Sequence, residues 1–179
     1  MRISAQLSLC LALAMSLGAT TLQKLGLDEM IQLSTGIVRA KVNGSYSGAV
    51  GSDIYTYYKL QVLESFKGTS SPDIAVPGGA AGGHRQVVAG APELKAGQEY
   101  VLFYWTSKSG LTQLIGLSQG LFSERAGVPG NPLLVRPAAA ETMLDKNGNA
   151  IQDQPTSLHL SDLRARVRSI LSKPQKAAN

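Results

Sequence analysis

The segment Glu99–Thr106, EYVLFYWT, has almost nothing polar between its ends, and this constrains the fold more than any other stretch. A strand that faces water on one side alternates apolar and polar residues. A run of aromatic and β-branched residues without that alternation needs cover on both faces, so it reads as a central strand with a layer on each side. Helices long enough to provide all of that cover are not written elsewhere. The chain has 19 glycines and 8 prolines in 179 residues, which favours many short elements joined by turns. The expectation is a single mainly β domain.

The other elements follow from period and punctuation. Leu27–Ser34 carries apolar residues at helical spacing, with Asp28 and Glu29 in its first turn, and predicts a short helix. Residues 37–42 (IVRAKV) alternate, with Val38, Ala40 and Val42 on one face, and predict a half-buried strand. The glycine- and serine-rich residues 43–53 read as a turn. Residues 54–66 predict a second strand, with Tyr58, Leu60 and Val62 on one face and a bulge near Leu63, where the alternation breaks. A short strand at 73–76 leads into Gly78–Ala91, read as a loop around a small strand at 86–88. Ser109-Gly110 turns into a strand at 112–117, and 120–124 pairs with 133–136. Asn147-Gly148 predicts a type I′ hairpin joining 141–144 to 150–152. The chain closes on a helix capped by Ser161, with Leu163, Val167, Ile170 and Leu171 as its apolar stripe. Residues 173–179 read as a disordered tail.

Residues 1–19 have the three parts of a secretory signal: Arg2, the apolar stretch Leu7–Leu17, and the small residues Gly18 and Ala19. The stretch is too short for a spanning helix. Cleavage after Ala19, or alternatively after Ser16, removes Cys10, the one cysteine. Residues 20–172 are then an exported domain, periplasmic or extracellular, that holds itself by core packing without a disulfide. The net charge of +5 is spread along the chain apart from Arg164, Arg166 and Arg168. This is not the dense basic stripe of a nucleic-acid binder.

The stretches IVRAKV (37–42), YTYYKLQVLESFKG (55–68), AGQEYVLF (96–103) and GLTQLIGL (110–117) resemble netrin-like modules and the N-terminal domain of the tissue inhibitors of metalloproteinases, over about residues 30–124. The resemblance implies an OB-like, antiparallel Greek-key barrel, here with a short N-terminal helix and a C-terminal helix. The stretch VPGG…GAPELKAGQEYVLF also resembles a group of exported bacterial proteins of unassigned function. The inhibitors chelate the protease zinc through an N-terminal cysteine. With a start at Thr20 and no cysteine, no inhibitory residue carries over, and a fold alone does not confer a function.

Candidate binding residues fall into two sets. His84 and Arg85 lie in the glycine-rich segment, where a loop on a barrel usually carries binding. Tyr55, Tyr57 and Lys59 share an outward strand face suited to an aromatic platform. One histidine is far from a zinc site. The GGAAGGHR run lacks the spacing of a P-loop, and Asp145–Asn149 lacks the twelfth-position glutamate of a calcium loop. No metal, cofactor or catalytic residue is expected. The leading expectation is a monomeric, non-enzymatic module that contacts an extracytoplasmic protein, such as a secreted protease, through the end holding residues 78–91. A carbohydrate or small-ligand binder using the tyrosines is the alternative, and a hydrolase centred on His84 is a third.

Overall fold

Glu99–Thr106 does lie between two apolar layers. In the computed structural model, which describes residues 21–68 and 73–173, Tyr100, Leu102 and Tyr104 of this strand enter one buried cluster, and Val101 and Phe103 enter another. In chain order the elements are β1 (Thr21–Gln23), α1 (Leu27–Leu33), β2 (Gly36–Val50), β3 (Asp53–Lys67), β4 (Asp73–Pro77), β5 (Gly79–Ala81), β6 (His84–Gln86), β7 (Glu99–Thr106), β8 (Thr112–Leu114), β9 (Leu121–Val128), β10 (Asn131–Arg136), β11 (Thr142–Leu144), β12 (Ala150–Ile151), β13 (Thr156–His159) and α2 (Leu160–Leu171). The fold is mainly β, and among the described residues it has two helices.

One large sheet runs in the order β13-β10-β9-β7-β2-β3-β4-β8. Its last strand also pairs with β7: Gln113 of β8 sits beside Ala75 of β4 in parallel and opposite Trp105 of β7. The pairings β7–β2–β3–β4–β8–β7 therefore run in a closed circuit. Tyr58, Ile74, Val76, Leu102, Tyr104 and Leu114, one or more from most of these strands, pack together in one cluster. On the edge it shares with β8, β7 also joins β9 at Tyr100–Leu102, and β9, β10 and β13 carry the sheet onward. There Phe103 and Phe122 meet with ring centroids 5.7 Å apart, against Met30 and Ile31 of α1 and Leu163, Val167 and Ile170 of α2. The apolar stripe expected on the last helix supplies these contacts, except that Leu171 is exposed.

β2 meets β7 through a glycine. Gly36 stands directly opposite Tyr104, whose ring lies across it, and a Cβ at 36 would fall well inside contact distance of Tyr104 Cζ and Oη. Gly36→Ala is expected to force the buried Tyr104 ring out of place at a cost of ~1–3 kcal/mol. Urea unfolding measures it, and a variant as stable as the native protein would contradict the packing described.

Several sequence expectations are corrected. Residues 43–50 are not a turn. They extend β2: Asn43 bulges out of the ladder, Gly44–Val50 pair in step with Lys59–Asp53 of β3, and the reversal is confined to Gly51-Ser52. Glycine and serine suggested a loop, but cross-strand pairing with Ile54–Tyr58 holds them extended. The bulge at Leu63 is present: Arg39 faces Glu64 and Ala40 faces Val62, leaving Leu63 between them. The small strand expected at 86–88 lies at His84–Gln86, paired with β5 around Gly82-Gly83. Asn147-Gly148 does turn β11 into β12, but not as type I′. Gly148 has φ +83° and Asn147 has no positive φ. The Asp145 carboxylate accepts from the Asn147 and Asn149 N–H groups, and Gly148 N–H bonds Asp145 C=O, which makes a type I turn followed by a left-handed glycine. Finally, Ser161 does not cap α2. His159 occupies that position, residues 156–159 form a strand on β10, and the Ser161 N–H is taken by Asn131 Oδ1 at 2.8 Å.

The segment read as a signal, with Cys10, and all but Lys173 of the expected tail lie outside the described residues. Among the described residues no helix is long and apolar enough to cross a membrane.

Candidate functional site

The glycine-rich segment is fastened to β3. Gly78 N–H donates to Ile54 C=O at 2.7 Å, Thr56 Oγ1 donates to Gly78 C=O at 2.8 Å, and Gln86 Oε1 accepts from Ile54 N–H at 2.6 Å. The β5–β6 hairpin so anchored holds His84 and Arg85 exposed. No ion pair joins His84 to a carboxylate among the described residues, and no group of three or more His, Cys, Asp or Glu side chains there is placed to hold a metal.

The tyrosines form a ladder on the β2–β3 ribbon. Tyr46 and Tyr57 are cross-strand neighbours with rings stacked at 5.0 Å and 13°, and Tyr55 tilts against Tyr57 at 6.4 Å. Lys59 Nζ lies 5.5 Å from the Tyr46 ring centroid. The Tyr46 hydroxyl donates to Asp73 at 3.0 Å, and that carboxylate raises the Tyr46 phenol above its usual value. Tyr46 was missed in the sequence because its neighbours read as a turn. Tyr46 and Tyr57 spend one ring face on each other, Tyr55 tilts against Tyr57, and Tyr46 stays exposed.

The two sets of candidate residues do not come together. A Cβ at Gly79 would touch Ser47 Oγ and Thr56 Oγ1, both at 2.7 Å, so the β5–β6 hairpin lies on the Ser47/Thr56 face of the ribbon. Strand alternation puts Tyr46 and Tyr57 on the opposite face.

Beside the hairpin the surface is apolar. Trp105, 39% exposed, stands with Pro77, Pro92, Leu114 and Leu117 around a pocket of about 190 Å³ where β4, β8 and β7 meet. Val76, Pro77 and Pro92 also line a second hollow, which reaches Arg85 and the exposed Val87. Leu117 has φ +60°, the one positive φ outside glycine among the described residues. Left-handed backbone is unfavourable for a leucine by ~1–2 kcal/mol. The turn Ile115–Gly120, closed by Gly120 N–H to Ile115 C=O, holds it there at the pocket. Nothing in the sequence around Leu117 signals this conformation.

A larger cleft of about 790 Å³ is polar, with Glu93, Lys95, Gln98, Glu124, Arg125 and Glu141 among its lining residues. Its charges are partly used within the fold, since Arg39 donates to Glu124 at 2.5 Å and to Glu99 at 2.7 Å. The C-terminal arginines are also engaged. Arg164 forks onto Glu64 at 2.7 and 2.8 Å, and Arg166 pairs with Asp28 of α1. These bonds hold the Glu64 and Asp28 carboxyls below their usual range. Two of the three arginines are therefore paired within the fold, and the set does not form a free basic patch.

Comparison with protein-family models and with curated proteins finds no match.

Proposed function

We propose that this chain is an exported, non-enzymatic binding module with an OB-like barrel, and that it holds a partner protein at the apolar surface around Trp105. The closed pairing circuit supports the barrel. Its strands taken in chain order, β2, β3, β4, β7 and β8, run around the circuit as first, second, third, fifth and fourth, with the third and fifth parallel. The likeness to netrin-like modules and the signal-like residues 1–19 support the rest.

The observation that carries the binding site is the exposed tryptophan over a pocket edged by a leucine in left-handed backbone. Exposed aromatic anchors and apolar pockets concentrate binding energy in protein interfaces, and unfavourable backbone persists at functional positions. The site adjoins the 78–91 segment, where the sequence led one to expect contact. The carbohydrate alternative draws less support, because Tyr46 and Tyr57 spend one ring face on each other and the Tyr46 hydroxyl is held by Asp73.

The test is capture from the extracytoplasmic fraction of the source cell, with native protein and Trp105→Ala as parallel baits. The expected result is one partner held by the native bait and weakened by about tenfold or more in the variant, with the variant still folded at the capture temperature by circular dichroism. Equal capture by both baits would remove Trp105 from the interface. No capture by the folded native bait would count against a protein partner.

A further inference from the structure

The outer edge of β2 is paired for only part of its length. β7 covers Gly36–Lys41, and Val42 still exchanges bonds with Gly97 and Gln98. From Gly44 to Val50, among the described residues, only β3 pairs with β2. Ile54 gives its N–H to Gln86 and its C=O to Gly78, so both point away from β2. Its partner Ala49 therefore belongs to a pair without mutual hydrogen bonds. By alternation the N–H and C=O groups of Ser45, Ser47 and Ala49 all point outward, and all three residues are exposed.

Proteins blunt such edges with lysine, proline or a covering element. Residues 43–50, NGSYSGAV, contain no charge and no proline. The segment is also complementary to itself. In an antiparallel pairing with Ser47 opposite the partner's Ser47, Ser45 meets the partner's Ala49, and every outward N–H and C=O finds an acceptor or donor. In the same register Tyr46 stands opposite the partner's Gly48, and Val50 stands opposite the partner's Gly44. A large side chain then covers each glycine, as Tyr104 covers Gly36 within the fold.

We propose that two copies of this chain join along β2 in a two-fold dimer centred on Ser47, making one continuous sheet. This departs from the monomer expected from sequence and does not depend on the Trp105 site. Isologous contacts of this kind are the commonest route to homodimers.

Sedimentation of the purified protein across a concentration series is the test. The native protein is expected to dimerise. Ser47→Pro is expected to weaken association by at least about tenfold without changing the thermal midpoint, because the N–H it removes points away from β3 and an edge strand tolerates proline there. A second arm covers the case in which that variant fails to fold. In a Cys10→Ser background, Ser47→Cys should cross-link to itself under mild oxidation, and Ser45→Cys should not. A native protein that stays monomeric at millimolar concentration overturns the proposal, even if its edge binds an added extended peptide. So does a folded Ser47→Pro protein that dimerises as tightly as the native one. Self-cross-linking of Ser45→Cys at the rate of Ser47→Cys also overturns it.

Discussion

Replacing Asp153 with alanine is expected to destabilise the protein by ~3–5 kcal/mol, the cost of leaving one member of a buried ion pair alone. Asp153 and Arg136 are each 6% exposed. The carboxylate accepts from Arg136 Nη1 at 2.6 Å, Arg136 Nη2 at 3.3 Å and Ala139 N–H at 2.8 Å, with Lys24 Nζ at 3.5 Å. Without it, the guanidinium keeps only the neutral acceptors Pro137 C=O, Gln154 C=O and Thr156 Oγ1. Burial opposes the charge on Asp153, but the Arg136 guanidinium and the Ala139 N–H outweigh it and hold the carboxyl far below its usual range. The sign of the pH effect follows. A carboxyl whose folded value is depressed contributes stability that is present above its unfolded value, near ~3.9, and is lost as pH falls through that value toward the folded one. Urea unfolding at neutral pH and in acid checks both points. The native protein should lose more stability than Asp153→Ala on acidification, and equal stability of the two at neutral pH would show that the pair does not matter. Replacing both partners with apolar residues should cost much less than removing Asp153 alone.

Phe103→Ala is expected to cost a similar ~3–5 kcal/mol, the range for emptying a large buried aromatic site. Phe103 is fully buried, its ring contacts Phe122, and Met30, Ile31 and Val167 belong to the same cluster. Its backbone is fixed as well: N–H to Gly120 C=O at 2.8 Å, and C=O accepting from Ile115 N–H at 3.0 Å. Those bonds hinder collapse around the missing ring, which puts the cost at the upper end of the range. A loss below ~1 kcal/mol would mean that the helical layer closes over the gap.

What the residues disclosed and what they concealed divide along physical lines. Burial of β7 on both faces was legible because strand alternation is local, and the bulge at Leu63 was legible because a single residue breaks that alternation. The extension of β2 through residues 43–50 was not legible. Gly44, Ser45, Ser47 and Gly48 have turn composition, and only the partner strand keeps them straight. The cap of α2 failed for a similar reason: Asn131, thirty residues away, satisfies Ser161 N–H. The hairpin at Asn147-Gly148 was found, but its geometry is set by the Asp145 carboxylate, which the dipeptide rule ignores. For the candidate site, His84, Arg85, Tyr55, Tyr57 and Lys59 were legible as residues, but not the sides of the ribbon on which they lie. That depends on the face the β5–β6 hairpin folds against. Pro77, Pro92 and Leu117 gave no signal, since only the meeting of β4 and β8 brings them to Trp105.

The double burial of β7 has a consequence for how the molecule comes apart. Tyr104 and Phe103 are adjacent in the chain, yet they belong to different cores. β7 is a party wall: neither compartment can lose it and remain closed. Peeling α1 and α2 from Phe103 loosens the same backbone that presents Leu102 and Tyr104 to the other side, so damage to either core is shared by both. A chain with two separate apolar clusters thereby gains the all-or-none character of a single one.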